Sequence, residues 1–428
     1  MHADGDPARL SNWAGNVVFS HHTLHEPTSL QQLQQVVAAS RSCRVLGSAH
    51  SFNAIADTTG DLVTLRSMPT TIDIDETGRE VRVGAGTRYG ELGRVLHARG
   101  WALPNLGSLP HISVIGACST GTHGSGNSNG CLATAVVAID IVTAGGDLVH
   151  VDASAAPESF AGAVVALGTL GAVVTVTLRI EPTYDIAQRV FVNVPWDDVV
   201  EHLDDVFAAG YSVSLFTTWR DRVIDQVWIK QRVNPAVEPQ AAGALFDRFE
   251  STVQVHPVPG VAADPCTAQL GVAGPWHERL PHFRLDFTPS TGDELQSEYL
   301  IDRAYAEEAL HGLEPMRQRL AEVTQVCELR TIAADSLWLS MAYARDSMAI
   351  HFTWISDVGR VAPVIAELEA RLDAFAPRPH WGKVFGIDPA SLADRYPRLG
   401  DAAALARQFD PSGVFRNAFT DGYLRDTR

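Results

Sequence analysis

Between Pro104 and Gly130 the chain reads PNLGSLPHISVIGACSTGTHGSGNSNG, 27 positions rich in Gly, Ser, Thr and Asn with almost no charge. A solvated linker of that length would carry charge, and long uncharged loops inside a compact domain are more often functional than idle. A second small-residue turn, Gly47-Ser48-Ala49-His50-Ser51, follows a short predicted strand at Arg44 to Leu46. The surfaces at 47–51 and 116–126 can therefore present backbone amides to a pyrophosphate without a basic side chain. Neither is a standard nucleotide fingerprint. No Walker A sequence occurs, and in Gly84-Ala85-Gly86-Thr87-Arg88-Tyr89-Gly90 the third glycine falls one residue late for a dinucleotide-binding Rossmann turn.

Around these loops helices and strands mix from the start. Ser29 can cap a helix whose Leu30, Leu33, Val36 and Val37 fall on one face. Thr70 to Asp75 and Glu80 to Val83 predict a hairpin across Glu76-Thr77-Gly78-Arg79, followed by a helix from Tyr89 to Arg99. Strands are expected at 135–143 and 173–180 with a helix at 157–167 between them, and Glu181-Pro182-Thr183 reads as a boundary. Beyond it come aromatic strands at 213–219 and 227–233, then a Pro-rich, poorly periodic stretch from Pro235 to Pro289. Amphipathic helices follow at 303–323 and 364–375.

The length of 428 residues predicts two to three domains at about 150 residues each. With 46% hydrophobic and 19% charged residues a sizeable core can be buried. The formal charge of -17 disfavours nucleic acid and the anionic membrane surface as partners. Cys43, Cys118, Cys131, Cys266 and Cys327 are odd in number and form no Cys-x-x-Cys pair, so neither a disulfide scaffold nor a zinc site is expected. Met1 to Ser20 lacks the apolar run of a secretory signal, and no apolar stretch reaches the ~20 residues that span a bilayer. A reduced, cytoplasmic protein is the expectation.

Chemistry enters through two strands. In Cys327-Glu328-Leu329-Arg330-Thr331 side-chain alternation puts Glu328 and Arg330 on one face. In Met348 to Ile355 the residues Met348, Ile350, Phe352 and Trp354 make an apolar face, leaving His351 and Thr353 on the other. Were these strands neighbours, an acid, a cation, a titratable base and a hydroxyl would share one surface, a set suited to abstracting a proton from an alcohol. Taken singly, each has a plainer reading: an exposed strand pair worth ~0 to 1 kcal/mol, a surface histidine, and at Lys383 a solvated charge. His50 and His123 read equally well as turn histidines bonded to backbone. No His-Glu-x-x-His or acidic cluster accompanies them, so no metal centre is expected.

The order of the motifs adds more. NWAGN at 12–16, RVLGSAHSFN at 44–53, GSLPHIS at 107–113, TGTHGSG at 120–126, CELRT at 327–331, HFTW at 351–354 and HWGKVF at 380–385 run from end to end of the chain. In this order they resemble the vanillyl-alcohol oxidase and p-cresol methylhydroxylase flavoprotein superfamily, in its sugar-oxidising branch and closest to its alditol-oxidising members. The resemblance implies an α+β, two-domain FAD-binding fold of the p-cresol methylhydroxylase type. In it, residues 1–183 form the N-terminal part of the FAD-binding domain, 184–383 an α+β cap over the flavin, and 384–428 a C-terminal return. It implies FAD bound covalently through His50. It also implies cofactor contacts from Val45, Leu46, Gly47, Ser48, Ala49, Ser51, Ser108, Ser113, Gly116, Thr120, Gly121, Thr122, His123, Val173 and His380. A monomeric enzyme is expected that oxidises the terminal C1 hydroxyl of a polyol such as xylitol or sorbitol to the aldose, with O2 reduced to hydrogen peroxide. Catalysis would then fall to Glu328, Arg330, His351 and Lys383, and substrate binding to Ser108, Glu328, Arg330 and Thr353.

Two departures matter. Ala49 stands where such turns more often have glycine, and a Cβ at positive φ costs roughly 1 kcal/mol or more. Gly107 stands where relatives also carry alanine, which leaves more room for oxygen. An aldonolactone oxidase or dehydrogenase on the same fold is the alternative enzyme, and a colourless polyol-binding protein the alternative class.

Overall fold

Ser29 caps the first helix, Leu30–Ala39: its hydroxyl accepts from the Gln32 amide at 3.3 Å, and Leu33 and Val37 are the residues buried. The computed structural model describes residues 10–233, 246–287 and 293–424. Of the expectations above, residues 1–9 of the N-terminal segment, 235–245 and 288–289 of the Pro-rich stretch, and 425–428 of the C-terminal return lie outside the described residues.

The first ten strands are β1 (Thr23–His25), β2 (Cys43–Leu46), β3 (Asp61–Thr64), β4 (Ile72–Asp75), β5 (Glu80–Gly84), β6 (Trp101–Ala102), β7 (Val136–Val142), β8 (Leu148–Asp152), β9 (Ala172–Arg179) and β10 (Glu181–Pro182). They make a parallel sheet β1-β3-β2, an antiparallel sheet β4-β5-β9-β7-β8 and the pair β6-β10. The expected hairpin is β4–β5, its turn fastened by Asp75 Oδ1, which accepts from the amides of Thr77 and Gly78. β8 goes beyond the predicted strands. Only Val151 of it is buried, so it carries little hydrophobic alternation. Within the glycine-rich stretch Val114–Ser119 is helical rather than loop, with Val114, Ala117 and Cys118 turned inward.

The remaining strands, β11 (Asp185–Pro195), β12 (Ser212–Thr217), β13 (Val223–Val233), β14 (Gly274–Pro275), β15 (Glu294–Asp302), β16 (Thr324–Ile332), β17 (Ser347–Ile355) and β18 (Arg378–Pro379), form one antiparallel sheet in the order β14-β11-β13-β12-β16-β17-β15-β18. β11 and β15 are additional to the strands expected from sequence. The helix expected over 303–323 is two, Ala306–Leu313 and Arg317–Val323, parted by a 3₁₀ turn at Glu314–Met316. Pro315 in that turn lacks an N–H and crowds the preceding turn. The last predicted helix starts earlier than expected, at Val358, capped by Asp357, and ends at Leu372. Leu310, Leu313, Leu320 and Leu368 of these helices join Met348, Ile350, Phe352 and Trp354 in one core behind the sheet. The opposite face is left for polar work.

The C-terminal segment folds back on the N-terminal strands. Cys43 N donates to Val414 O, and Asn417 Nδ2 donates to the carbonyls of Ala54, Ile55 and Asp57. Arg44, 2% exposed, donates to the carbonyls of Phe415, Gly168, Leu167 and Ile55, tying three distant stretches to one guanidinium. The five cysteines are buried and free. No described helix is long and apolar enough to cross a membrane.

Candidate active site

β16 and β17 are antiparallel neighbours, and Glu328 lies directly opposite His351. On the far side of β17, β15 sets Glu298 opposite the same His351, so three functional side chains form one rung across three strands. Residues in register share a face. One step along, Arg330 is opposite Ala349, whose methyl leaves the guanidinium free to cross β17. Arg330 Nη2 reaches Glu298 Oε1 at 2.5 Å, Nη1 reaches Ser108 Oγ at 3.4 Å, and Nε lies 3.6 Å from Glu328 Oε1.

Lys383 arrives from the segment after β18. Its Nζ forms an ion pair with Glu298 Oε2 at 2.8 Å and donates to His351 Nδ1 at 2.5 Å. With its side chain 13% exposed it is an internal group, not the solvated charge that spacing alone suggests. Because His351 Nδ1 accepts from Lys383, its Nε2–H is left to donate to Thr353 Oγ1 at 3.3 Å. Burial and the Lys383 charge push His351 down to about 4, so the ring is neutral at physiological pH. Burial works against Glu298 ionising, yet Lys383 and Arg330 hold it well below the usual carboxylate range. Glu328 is likewise lowered against burial, by Arg330 and His282.

Sequence reasoning missed Glu298 and His282. Glu298 is 1% exposed and also lies 3.3 Å from His123 Nε2, which links the ribbon to the TGTHG loop. Its signal was the alternation of Leu295, Ser297, Tyr299 and Ile301 against Gln296 and Glu298, just after the Pro-rich stretch. His282 Nε2 is 2.7 Å from Glu328 Oε1, and its backbone N–H donates to Ser108 O. It lies in irregular chain with no periodic signal.

All of these groups, Ser108 and Thr353 included, open onto one cleft of about 950 Å³ that also holds the 47–51 turn. Val45, Leu46, Gly47, Ser48, Ala49, His50, Ser51, Ser113, Gly116, Thr120, Thr122, His123, Val173 and His380 line it. Gly121 does not. Its φ of +67° turns the chain, and a Cβ there would meet Met341 at 3.3 Å. The turn at Ala49 does take a left-handed φ of 56°, and the NWAGN segment holds it. Trp13 N donates to Ala49 O, Asn12 Nδ2 to Ser51 O and Asn16 Nδ2 to Phe52 O, while the Trp13 ring stacks on His50 at 5.4 Å.

The cleft fits a flavin dinucleotide. Its volume is at the upper end of small-molecule sites. Gly47 and Gly116 close on Ser113, where a Cβ on either would come within 2.7 and 2.6 Å of Ser113 Oγ. That buried hydroxyl has no partner within the described residues. Among the described residues no cluster of His, Cys, Asp and Glu could hold a metal ion.

Comparison with known proteins agrees with this geometry. The FAD binding domain family matches residues 23–152, and the D-arabinono-1,4-lactone oxidase family matches 292–423. Alditol oxidase of Streptomyces sp. is 50% identical over 422 residues, 97% of this chain and 98% of that one. L-gulono-1,4-lactone dehydrogenase of Mycobacterium tuberculosis is 28% identical over 426 residues, 96% of this chain and 97% of its own. Among solved structures, cholesterol oxidase from B. sterolicum superposes with a TM-score of 0.78 at 14% identity, covering 97% of this chain and 96% of that one, which speaks to the fold. With a glycine-walled dinucleotide cleft, an acid–base ribbon facing it and half its residues shared end to end, this chain belongs to the alditol oxidase family of FAD-dependent oxidoreductases.

Proposed function

We propose that the chain oxidises the terminal C1 hydroxyl of a linear polyol such as xylitol or sorbitol to the aldose, with O2 reduced to hydrogen peroxide, using FAD tethered to His50. The observation that carries this reading is the Glu328–His351–Glu298 rung, with Arg330 and Lys383 beside it, in the cleft that the His50 turn also lines. FAD, when bound, supplies the acceptor for the hydride leaving C1 and passes the electron pair to oxygen.

The chain's own groups do the rest. Burial lowers the proton affinity of Lys383 against the pull of Glu298, and on losing its proton the amine keeps a hydrogen for His351 Nδ1 while its lone pair takes the C1 hydroxyl proton. The ammonium so formed is stabilised by Glu298, and Arg330 adds positive charge beside the developing alkoxide. Thr353 Oγ accepts from His351, so its own hydrogen is free for a substrate hydroxyl. Glu328 Oε2 and Ser108 Oγ offer further partners. Several are needed, because each buried polyol hydroxyl left unpaired costs about 1 to 3 kcal/mol.

At the tether, desolvation lowers His50, keeping the imidazole neutral with a nitrogen lone pair for a carbon–nitrogen bond. Acid precipitation of the purified protein should leave yellow colour in the pellet, and His50→Ala should leave it colourless. Arg330→Ala should keep the coloured pellet and lose peroxide production from xylitol by about two orders of magnitude or more. Near-normal peroxide in that variant would reject the site. The match of residues 292–423 to D-arabinono-1,4-lactone oxidase favours a sugar lactone as the second candidate substrate. Peroxide yield from xylitol against an aldonolactone separates the two.

A further inference from the structure

Lys230 is a fully buried amine on β13, two strands away from Glu328, and the reaction outlined above makes no use of it. Its Nζ has three neighbours within hydrogen-bond reach: Leu280 O at 2.5 Å, Pro281 O at 3.1 Å and His282 Nδ1 at 3.2 Å. In its charged form, which the nearby Glu328 favours, Lys230 has three hydrogens and accepts nothing, so these partners account for all of them. His282 Nδ1 must then be the acceptor, which leaves the ring hydrogen on Nε2. That hydrogen points at Glu328 Oε1, 2.7 Å away.

Around this chain the donors and acceptors are fixed on every side. Thr267 Oγ1 donates to Pro281 O, and the backbone N–H of His282 donates to Ser108 O, so the loop at 280–283 is held from both flanks. Phe216 and Trp228 meet the His282 ring edge to face at 5.5 and 5.2 Å, which prevents it from turning over. Burial with the nearby Lys230 charge pushes His282 down to about 4, and burial brings Lys230 down to about 7 against the pull of Glu328.

We infer that Lys230 is a positioning residue for polyol binding: acting through His282, it holds one Glu328 oxygen and leaves the other as a directed acceptor for a substrate hydroxyl. This inference rests on the polyol-oxidase reading. An apolar residue at 230 would leave the buried His282 Nδ1 lone pair without a donor and let the ring shift, loosening its hold on Glu328 Oε1. Binding of the hydroxyl that Glu328 accepts would weaken. The C1 chemistry at Lys383 and Arg330 would not change.

The test is steady-state kinetics with xylitol on the flavin-loaded enzyme, with acid-stable flavin measured in each variant. Lys230→Met should raise KM about tenfold with kcat within about twofold and flavin content unchanged. His282→Gln keeps an N–H donor for Glu328 that needs no help from residue 230, so adding Lys230→Met to it should change KM by less than about twofold. An unchanged KM in Lys230→Met, or an equal rise in both backgrounds, overturns the inference. Should Lys230→Met fail to fold, His282→Phe against His282→Gln decides: KM up about tenfold in the first and within about threefold in the second supports it, and equal effects overturn it. The wild-type rate with xylitol is the control on substrate class. If peroxide forms from a lactone and not from xylitol, the polyol reading falls first and this inference with it.

Discussion

At the scale of single residues, Glu298 holds the site together: one carboxylate 1% exposed, with Arg330 on one oxygen and Lys383 on the other. Removing one member of a buried charge cluster costs about 3 to 5 kcal/mol, because the remaining charges stay buried without a counterpart. Glu298→Gln should therefore lower thermal stability and cut kcat by about two orders of magnitude. It also has a signature in pH. Glu298 favours the ammonium of Lys383, so its loss lowers that pKa and moves the acidic limb of the kcat profile to lower pH. An unmoved limb would reject Lys383 as the proton acceptor. Glu328 and Arg330 were legible from alternation within one strand, and His351 and Thr353 from the next. Lys383 was legible only through its motif, since a lysine after a Pro-rich turn has no spacing that distinguishes it.

At the scale of elements, the segment NWAGN acts as a clasp on the turn that carries His50. Ala49 sits at φ 56°, where an L side chain costs roughly 1 kcal/mol, and bonds from Asn12, Trp13 and Asn16 hold that conformation. Asn12 is 4% exposed and also accepts from Val17 N at 3.0 Å, so Asn12→Ala takes a partner from two half-buried backbone groups, Ser51 O and Val17 N. Asn12→Ala should cost about 1 to 3 kcal/mol and lower the acid-stable flavin bound per chain, measured by absorbance of the precipitate. A full complement of acid-stable flavin would show that the turn stands without its clasp. Helices were easier to read than strands here. The core-facing helices carry a 3.6-residue stripe, whereas β15 hides its alternation behind irregular chain and β8 buries too little to have one. The break at Pro315 follows from a local rule that reading the stripe alone passes over.

At the scale of the whole molecule, burial of neutral histidines sets the response to acid. His282 and His351 fall to about 4 in the folded chain, against ~6.5 when unfolded, so between those values the unfolded state binds more protons. Stability should be fully present above about pH 6.5 and should fall as pH drops toward about 4. Glu298 and Glu328, both held low, add to the loss once pH passes below the unfolded carboxylate range. The thermal midpoint followed from pH 7 to about 4 at constant ionic strength should decline throughout, and a flat profile would show that these rings are protonated without cost. The motifs, read in order, already determined the family, the cofactor class and the residues on each strand face, because side-chain alternation and glycine turns are local properties of the chain. Only the tertiary structure decided that β15 lies beside β17, that a histidine from irregular chain closes on Glu328 with a lysine of β13 bonded behind it, and that Arg44 ties the last segment to the first. Those juxtapositions depend on strand order and burial, which no local pattern encodes.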